Sequence, residues 1–325
     1  MKIFRLILLI LHIGILFLLL GTLLNAYIPP KIFPWFNLLS LGFPILIILY
    51  IILTVFWVFS WKKRAFVFML AGLAFLTPAK RWVNYSADKN ETSDIKVLSF
   101  NIKAWLAGGS GITDYVASQK ADIIFLQEFG GVKLPLSEGY TSVKTGSALA
   151  VLTKYKIVDH KILGSNGGLQ ADVEINGRIY RCINVYLHPF KFEKEMMDLN
   201  ADTDVSKRKL KDILKRLIPT FKKHQDQVAL IRESIENSPY PVILAGDFNS
   251  VPNSYEYYHL SDGLEDAFLT AGKGSATSFH DYKFPIRIDY VFSSKSLSAV
   301  SYKVDRSVSL SDHYPVIVKF STRNK

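Results

Sequence analysis

Two long, unbroken apolar runs open the chain. Residues 6–24 (LILLILHIGILFLLLGTLL) and 38–61 (LLSLGFPILIILYIILTVFWVFSW) carry no charge. Each reaches the roughly 20 residues that a helix needs to cross a bilayer. Trp35, Trp57 and Trp61 stand near the ends of the second run, where membrane interfaces favour indole rings. The segment between, AYIPPKIFPWFN, has three prolines and predicts a turn through which no helix continues. A third run, AFVFMLAGLAFLTPA (65–79), is short for a span and is bracketed by Lys62-Lys63-Arg64 and Lys80-Arg81. Basic side chains can snorkel and a bilayer can thin locally, so this run either crosses or lies on the surface. The rival for the first run is a cleaved signal peptide, whose apolar core is about 7–15 residues with a small-residue cleavage site. This run is longer, shows no such site and is followed by another span. His12, with no acid nearby in sequence, reads as a tolerated, lipid- or helix-facing imidazole rather than a functional one.

From residue 95 the rhythm changes to short apolar runs between turns. IKVLSFN (95–101), DIIFLQE (122–128), 147–153, 156–163, 169–175, 179–187, VILAG (242–246), RIDYVFSS (287–294) and YPVIVKF (314–320) predict strands. Asn166-Gly167-Gly168 and Asn176-Gly177 are hairpin signals. Residues 205–237 predict one or two helices interrupted at Pro219. Mixed strands and helices in this order predict an α/β sandwich with helices outside packed sheets. The expected layout is a transmembrane region over 1–81, a polar linker over 82–94 (WVNYSADKNETSD) and a strand-rich, water-soluble domain over 95–322.

Charge sharpens that division. The 325 residues hold 39 Lys+Arg against 28 Asp+Glu, a net +11. Residues 1–87 contain eight Lys/Arg and no acid, so 31 bases face all 28 acids in the remainder. The positive excess belongs mostly to the N-terminal part and does not indicate a nucleic-acid groove. Lys/Arg bias sets topology. Lys2, Arg5 and Lys62–Arg64 fall on one side if the first two runs form a hairpin, and a spanning third run then puts the domain on the outer side. A single cysteine, Cys182, rules out an internal disulfide and a thiolate zinc site.

Polar residues recur where apolar strands end: Asn101, Gln127 and Glu128, His188, Asp247 and Asn249, Asp312 and His313. Singly, each reads as an ordinary turn or cap residue. Asp289 differs, because alternation puts it mid-strand on the face of Arg287, where a buried carboxylate needs that arginine, another partner or a metal. Together the carboxylates, amides and imidazoles suit a hard cation, Mg²⁺, Mn²⁺ or Ca²⁺. There is no H-E-x-x-H, G-x-S-x-G or P-loop.

In chain order the motifs VLSFNI, FLQEF, INVYLHP, ILAGDFNSVP, RIDYVF and LSDHYPV resemble the endonuclease/exonuclease/phosphatase superfamily, in its membrane-anchored bacterial branch. The resemblance covers 95–320 and implies a four-layer sandwich of two packed mixed β-sheets flanked by helices. It implies metal-dependent hydrolysis of a phosphoester, with Mg²⁺ as the cofactor. Glu128 would be the main metal ligand, with Asn101 nearby and Asp312 a second ligand. Asp247 would align or deprotonate water, Asn249 hold a phosphate oxygen, His313 contact phosphate and Asp289 orient His313. Many relatives have a histidine where this chain has Tyr186, so Tyr186 or His188 would be the further phosphate donor. The implied protein is a phosphodiesterase or nuclease-like enzyme of the bacterial inner membrane with an outer-facing, periplasmic domain. Its partners are the lipid bilayer and a phosphoester substrate, either nucleic acid or a phospholipid headgroup. A phospholipid or small-phosphoester phosphatase and a non-catalytic membrane-bound binding module are the alternatives. Lys207, Arg208, Lys209, Lys211, Lys215, Arg216, Lys222 and Lys223 make either a basic arm for anionic lipid or a solvated helix face.

Overall fold

The computed structural model describes residues 2–60, 62–87, 89, 91–105, 109–130, 139–146, 148–165, 167–190, 203–281 and 285–322. Trp61, Asn166 and the stretch 191–202 lie outside the described residues.

Helices α1 (Lys2–Leu23) and α2 (Trp35–Phe59) form from the two long apolar runs. Both are long and apolar enough to cross a membrane, and only 17% and 22% of their most apolar windows are buried inside the protein. A helix buried in a soluble core would be mostly covered, so this exposed apolar surface suits lipid. The third run folds as α3 (Arg64–Gly72), a 3₁₀ turn and α4 (Leu76–Lys80). It runs antiparallel to α2, as the contacts show. The Arg64 guanidinium lies 4.7 Å from the Trp57 ring, the Tyr50 hydroxyl donates to the Phe68 carbonyl at 2.6 Å, and Trp82 stacks on Phe43 at 6.4 Å. His12 is buried, stacked 3.7 Å from Phe68 with its Nδ1 accepting from Trp57 Nε1 at 3.1 Å. The turn at 24–34 and residue 82 therefore share one end of the bundle, against the sandwich. Lys2, Arg5 and Lys62–Arg64 mark the other end.

The sandwich has two six-stranded sheets. The first takes the order β13 (Leu297–Val304), β14 (Val316–Thr322), β2 (Ile95–Asn101), β3 (Ile123–Gln127), β5 (Leu149–Thr153), β4 (Thr141–Thr145). The second takes the order β10 (Glu265–Asp266), β12 (Asp289–Ser293), β9 (Val242–Asp247), β8 (Arg178–Tyr186), β7 (Gly168–Ile175), β6 (Lys156–Leu163). Each sheet has one parallel pair, β2/β3 and β8/β9. Parallel neighbours need a crossover, here α5 (Gly109–Ser118) and α6 (Thr203–Glu236) respectively. The two sheets thus repeat one plan.

Alternation decides the layers. Val97, Phe125, Val151, Ala171, Cys182, Ile243 and Val291 fill the space between the sheets. Leu98, Phe100, Ile124 and Leu126 face outward under Ile112 and Val116 of α5, and Ile183, Val185 and Leu244 lie under Val228 and Ile231 of α6. Burial on both faces explains why the central strands read as continuous apolar runs. Gly246 is required where it stands. At φ 143° a Cβ there would lie 2.0 Å from the Val185 carbonyl oxygen, an overlap with main chain that no rotamer relieves.

Three expectations change. Helix α6 is continuous across Pro219, so that proline does not break it. Residues 82–94 are not wholly a free linker: β1 (Val83–Tyr85) pairs with β11 (Lys273–Ser275), and the buried Asn84 amide donates to the carbonyls of Phe268 and Leu269, both at 3.0 Å. Arg287 does not pair with Asp289. It lies before β12, fully buried, and its Nη2 donates to both carboxylate oxygens of Asp266 at 2.8 and 2.9 Å.

Candidate active site

Both parallel pairs end at the same edge of the sandwich. Asn101 closes β2, Glu128 follows β3, Tyr186 closes β8 and Asp247 closes β9. Asp289 opens β12 directly opposite Asp247 in the antiparallel ladder. His313 precedes β14, with its ring 5.0 Å from that of Phe279. Carboxyl ends of parallel strands at a switch in strand direction are where α/β sheets place ligands.

A polar chain connects these side chains across the two sheets. His313 Nδ1 meets Asp289 Oδ2 at 2.8 Å, and His313 Nε2 lies 3.8 Å from Asp247 Oδ2. Asn101 Nδ2 donates to Asp247 Oδ2 at 3.0 Å and to Glu128 Oε1 at 3.1 Å. The Tyr186 hydroxyl donates to the same Glu128 oxygen at 3.0 Å. Asn249 donates from its main-chain nitrogen to Asp247 Oδ1 at 2.8 Å, and from Nδ2 to the Leu187 carbonyl at 2.9 Å and to Asp247 Oδ2 at 3.2 Å. Glu128 and Asn249 hold left-handed backbone, φ 48° and 46°. Asparagine tolerates that region, whereas glutamate there stores about 1–3 kcal/mol of strain.

Electrostatics follow from burial. Asp247, Asp289 and His313 are 1%, 2% and 5% exposed, so water screens none of them. Burial pushes the Asp247 carboxyl up, against the pull of the His313 charge. Burial alone would lower the His313 pKa, but Asp289 and Asp247 outweigh it and carry it to about 10. Burial, then Glu128 and Asp247, push the Tyr186 hydroxyl far above its ordinary range, so it remains a donor.

Asp312 sits beside this chain, paired with Lys103. Lys103 Nζ lies 2.5 Å from Asp312 and 3.6 Å from Asp281, and its main-chain nitrogen donates to Asn101 Oδ1 at 3.0 Å. Burial would lower the Lys103 pKa, but these acids outweigh it and raise it. His188 stands two residues past the strand end. Its main chain is held by α6, with the nitrogen donating to Gln227 Oε1 at 3.0 Å and the carbonyl 2.7 Å from His224 Nε2.

Sequence reasoning missed several supports. Lys103 lay unremarked just past Asn101. Asn184, a fully buried amide in mid-strand, was the available sign of an inter-sheet clamp. Its Nδ2 donates to the carbonyls of Leu126 and Ala150, both at 2.9 Å, and its Oδ1 accepts from Gln127 Nε2 at 2.7 Å. Ser278, whose Oγ accepts from the Asp289 nitrogen at 3.2 Å, had no sequence signal.

The donor set fits a hard divalent cation. Glu128 and Asp247 share one amide between them, and among the described residues no basic side chain pairs with Glu128. The donors are oxygens, and the one thiol, Cys182, is buried in the core. Asp247, Asp289 and His313 also bring ligand atoms within 4.8 Å of one another, although His313 Nδ1 is already bonded to Asp289.

Comparison with protein-family models matches residues 98–313 to the Endonuclease/Exonuclease/phosphatase family, and residues 4–82 to a domain of unknown function. No curated protein sequence matches. Among solved structures, an endonuclease/exonuclease/phosphatase from Bacteroides vulgatus is similar at 17% identity and TM-score 0.53, covering 71% of this chain and 100% of its own. A mannosyl-6-phosphatase from Bacteroides thetaiotaomicron VPI-5482 is similar at 18% identity and TM-score 0.50, covering 70% and 99%. An AP endonuclease from Archaeoglobus fulgidus is similar at 18% identity and TM-score 0.50, covering 70% and 100%. These likenesses establish the fold, and the family match extends over most of the sandwich and every strand end of the site. The chain belongs to the Endonuclease/Exonuclease/phosphatase family, whose members hydrolyse phosphoesters.

Proposed function

We propose that the chain is a membrane-anchored, Mg²⁺-dependent phosphoester hydrolase, with Mn²⁺ or Ca²⁺ as the other fitting ions. The convergence of Asp289, His313, Asp247, Asn101 and Glu128 in one chain of polar contacts carries the reading. Glu128 would hold the cation, with Asn101 beside it and Asp312 as the second ligand. When bound, the cation polarises the phosphoryl group and steadies the leaving oxygen.

The chain's own groups do the rest. Asp247 orients water in line with phosphorus and takes its proton. Asp289 fixes the His313 tautomer through Nδ1, so that Nε2–H meets charge growing on a non-bridging oxygen. Asn249 keeps its bond to the Leu187 carbonyl and gives up the longer one to Asp247, freeing an N–H for phosphate. The placement of its hydroxyl on Glu128 favours Tyr186 over His188 as the further donor.

The full chain purified in detergent is expected to cleave bis-p-nitrophenyl phosphate with Mg²⁺, to stop with EDTA and to recover when Mg²⁺ is restored. The same assay on Tyr186→Phe and His188→Ala assigns the donor to whichever loses turnover. No metal-dependent cleavage of either a diester or p-nitrophenyl phosphate rejects the hydrolase reading.

The near-neutral charge of residues 88–325 favours a lipid or small phosphoester over nucleic acid, whose affinity rests on many phosphate contacts. The antiparallel return of α3–α4 supports three crossings with the domain on the outer, periplasmic side. Lys2, Arg5 and Lys62–Arg64 lie at the end away from the sandwich, where the positive-inside rule puts cytoplasm. Protease added to right-side-out vesicles is expected to digest the domain, and protection there with digestion in inverted vesicles rejects this orientation.

A further inference from the structure

The N-terminal helices do more than touch the sandwich, because they enter it through buried polar groups. Asn37, on the first turn of α2, donates from Nδ2 to both carboxylate oxygens of Glu256 at 3.1 and 3.0 Å, and its Oδ1 accepts from the Tyr255 nitrogen at 2.7 Å. Glu256 Oε1 lies 2.7 Å from His224 Nδ1, and His224 Nε2 lies 2.7 Å from the His188 carbonyl oxygen. Asn37, Glu256 and His224 are 1%, 0% and 0% exposed. The next residue back, Leu187, offers the carbonyl that Asn249 holds at 2.9 Å, and its nitrogen donates to the Asp247 carbonyl at 3.1 Å. Three hydrogen-bonded steps thus run from an N-terminal helix to the main chain behind two site residues.

A second set of contacts reaches the same loop. The Asn253 carbonyl, four residues past Asn249, accepts from Asn25 Nδ2 at 3.0 Å and Ser40 Oγ at 2.8 Å. Its side-chain oxygen accepts from Arg81 at 2.9 Å. Asn253 holds left-handed backbone at φ 69°, and the bonds from Asn25 in the turn after α1, from Ser40 on α2 and from Arg81 pin that turn.

We infer that Asn37 is a positioning residue for catalysis, which through Glu256 and His224 fixes the 187–188 main chain that holds Asn249 and Asp247. Simple attachment would not call for this arrangement. A buried acid–imidazole contact is an expensive joint, and well-packed apolar residues often hold two surfaces as firmly. What hydrogen bonds add is direction. Both His224 nitrogens face acceptors, so the ring can satisfy them in one orientation only. Burial would raise the Glu256 pKa, but His224 and Asn37 outweigh it and lower it, so Glu256 keeps the charge that orients the ring. Take Asn37 away and the carboxylate loses the amide that bonds both of its oxygens.

The inference rests on the reading of Asn249 and Asp247 above, and its test separates the two. In the full chain, Asn37→Asp sets a second carboxylate against Glu256. The double variant Asn37→Asp/Glu256→Gln returns one acid and one amide to the joint with the places exchanged. For the single variant we expect kcat/KM for bis-p-nitrophenyl phosphate to fall about tenfold, a change of about 1.4 kcal/mol in the barrier. The Mg²⁺ concentration for half-maximal activity stays unchanged, and amide hydrogen exchange speeds up at Leu187 and His188 and at Asn249, Ser250, Val251 and Asn253. The double variant restores both readouts toward wild type, as does Asn37→Ser in part. Folded single variant with wild-type kcat/KM and wild-type exchange at those amides overturns the inference, as does a double variant no better than the single. If the wild-type chain hydrolyses no phosphoester, the function fails, but the exchange measurement still decides whether Asn37 sets the loop.

Discussion

Asp247→Ala in the full chain is expected to lower kcat for phosphodiester cleavage by about 10⁴-fold, the upper end of what positioned acid–base groups contribute. The size follows from how many functions meet in this one carboxylate. It lies opposite Asp289 in the ladder, 3.8 Å from His313 Nε2, and takes hydrogen bonds from Asn101 and from the Asn249 nitrogen. Removing it leaves attacking water without an acceptor and leaves a buried Asn101 N–H unpaired, costing about 1–3 kcal/mol, while Asn249 loses the partner of its main-chain nitrogen. Asp247→Asn should fare little better, because its amide can match the geometry but cannot take a proton. The measurement is steady-state kinetics on protein whose fold is checked by circular dichroism. Retention of more than a tenth of wild-type kcat would remove Asp247 from the chemistry.

Asp289→Asn is expected to lower kcat/KM by about 10²-fold near neutral pH and to change the pH profile in a defined direction. In the wild type, Asp289 and Asp247 outweigh burial and lift the His313 pKa to about 10. The imidazolium therefore persists through neutrality, and activity should fall only as pH rises toward that value. Without the Asp289 charge the His313 pKa drops, so the falling limb moves to lower pH. The variant then loses most where the wild type is still active, between neutrality and pH 9. A pH–rate profile for both proteins reads this directly. A limb that stays in place, or moves to higher pH, rules out the Asp289–His313 pairing as the source of the charge.

The sequence made most of this site legible for one physical reason. Strands buried on both faces leave polar residues only at their ends, so Asn101, Glu128, Asp247 and His313 stood out as interruptions of apolar runs. The same reasoning failed at Arg287, because the pattern implied a strand from 287 whereas β12 begins two residues later, at Asp289. It failed also at β1 and β11, whose pairing joins residues about 190 apart through a polar stretch without periodicity. Strands β4 and β13 have exposed or mixed faces, so no apolar run announced them. Asn25, Asn37 and Ser40 were visible as polar residues at the margins of apolar spans. Their partners in the sandwich are more than 200 residues away and could not be named from the chain alone.

The proposed catalytic edge is divided between the two sheets. Asn101 and Glu128 come from one, Tyr186, Asp247 and Asp289 from the other, and the Gln127–Asn184 clamp lies just beneath them. Neither half of the molecule owns a working centre. Any partly unfolded species that preserves one sheet while letting the other drift by an ångström or so is chemically silent, because productive reaction geometry tolerates little displacement. Turnover is therefore a gauge of sheet docking, and should vanish no later than the tertiary signal during gradual denaturation.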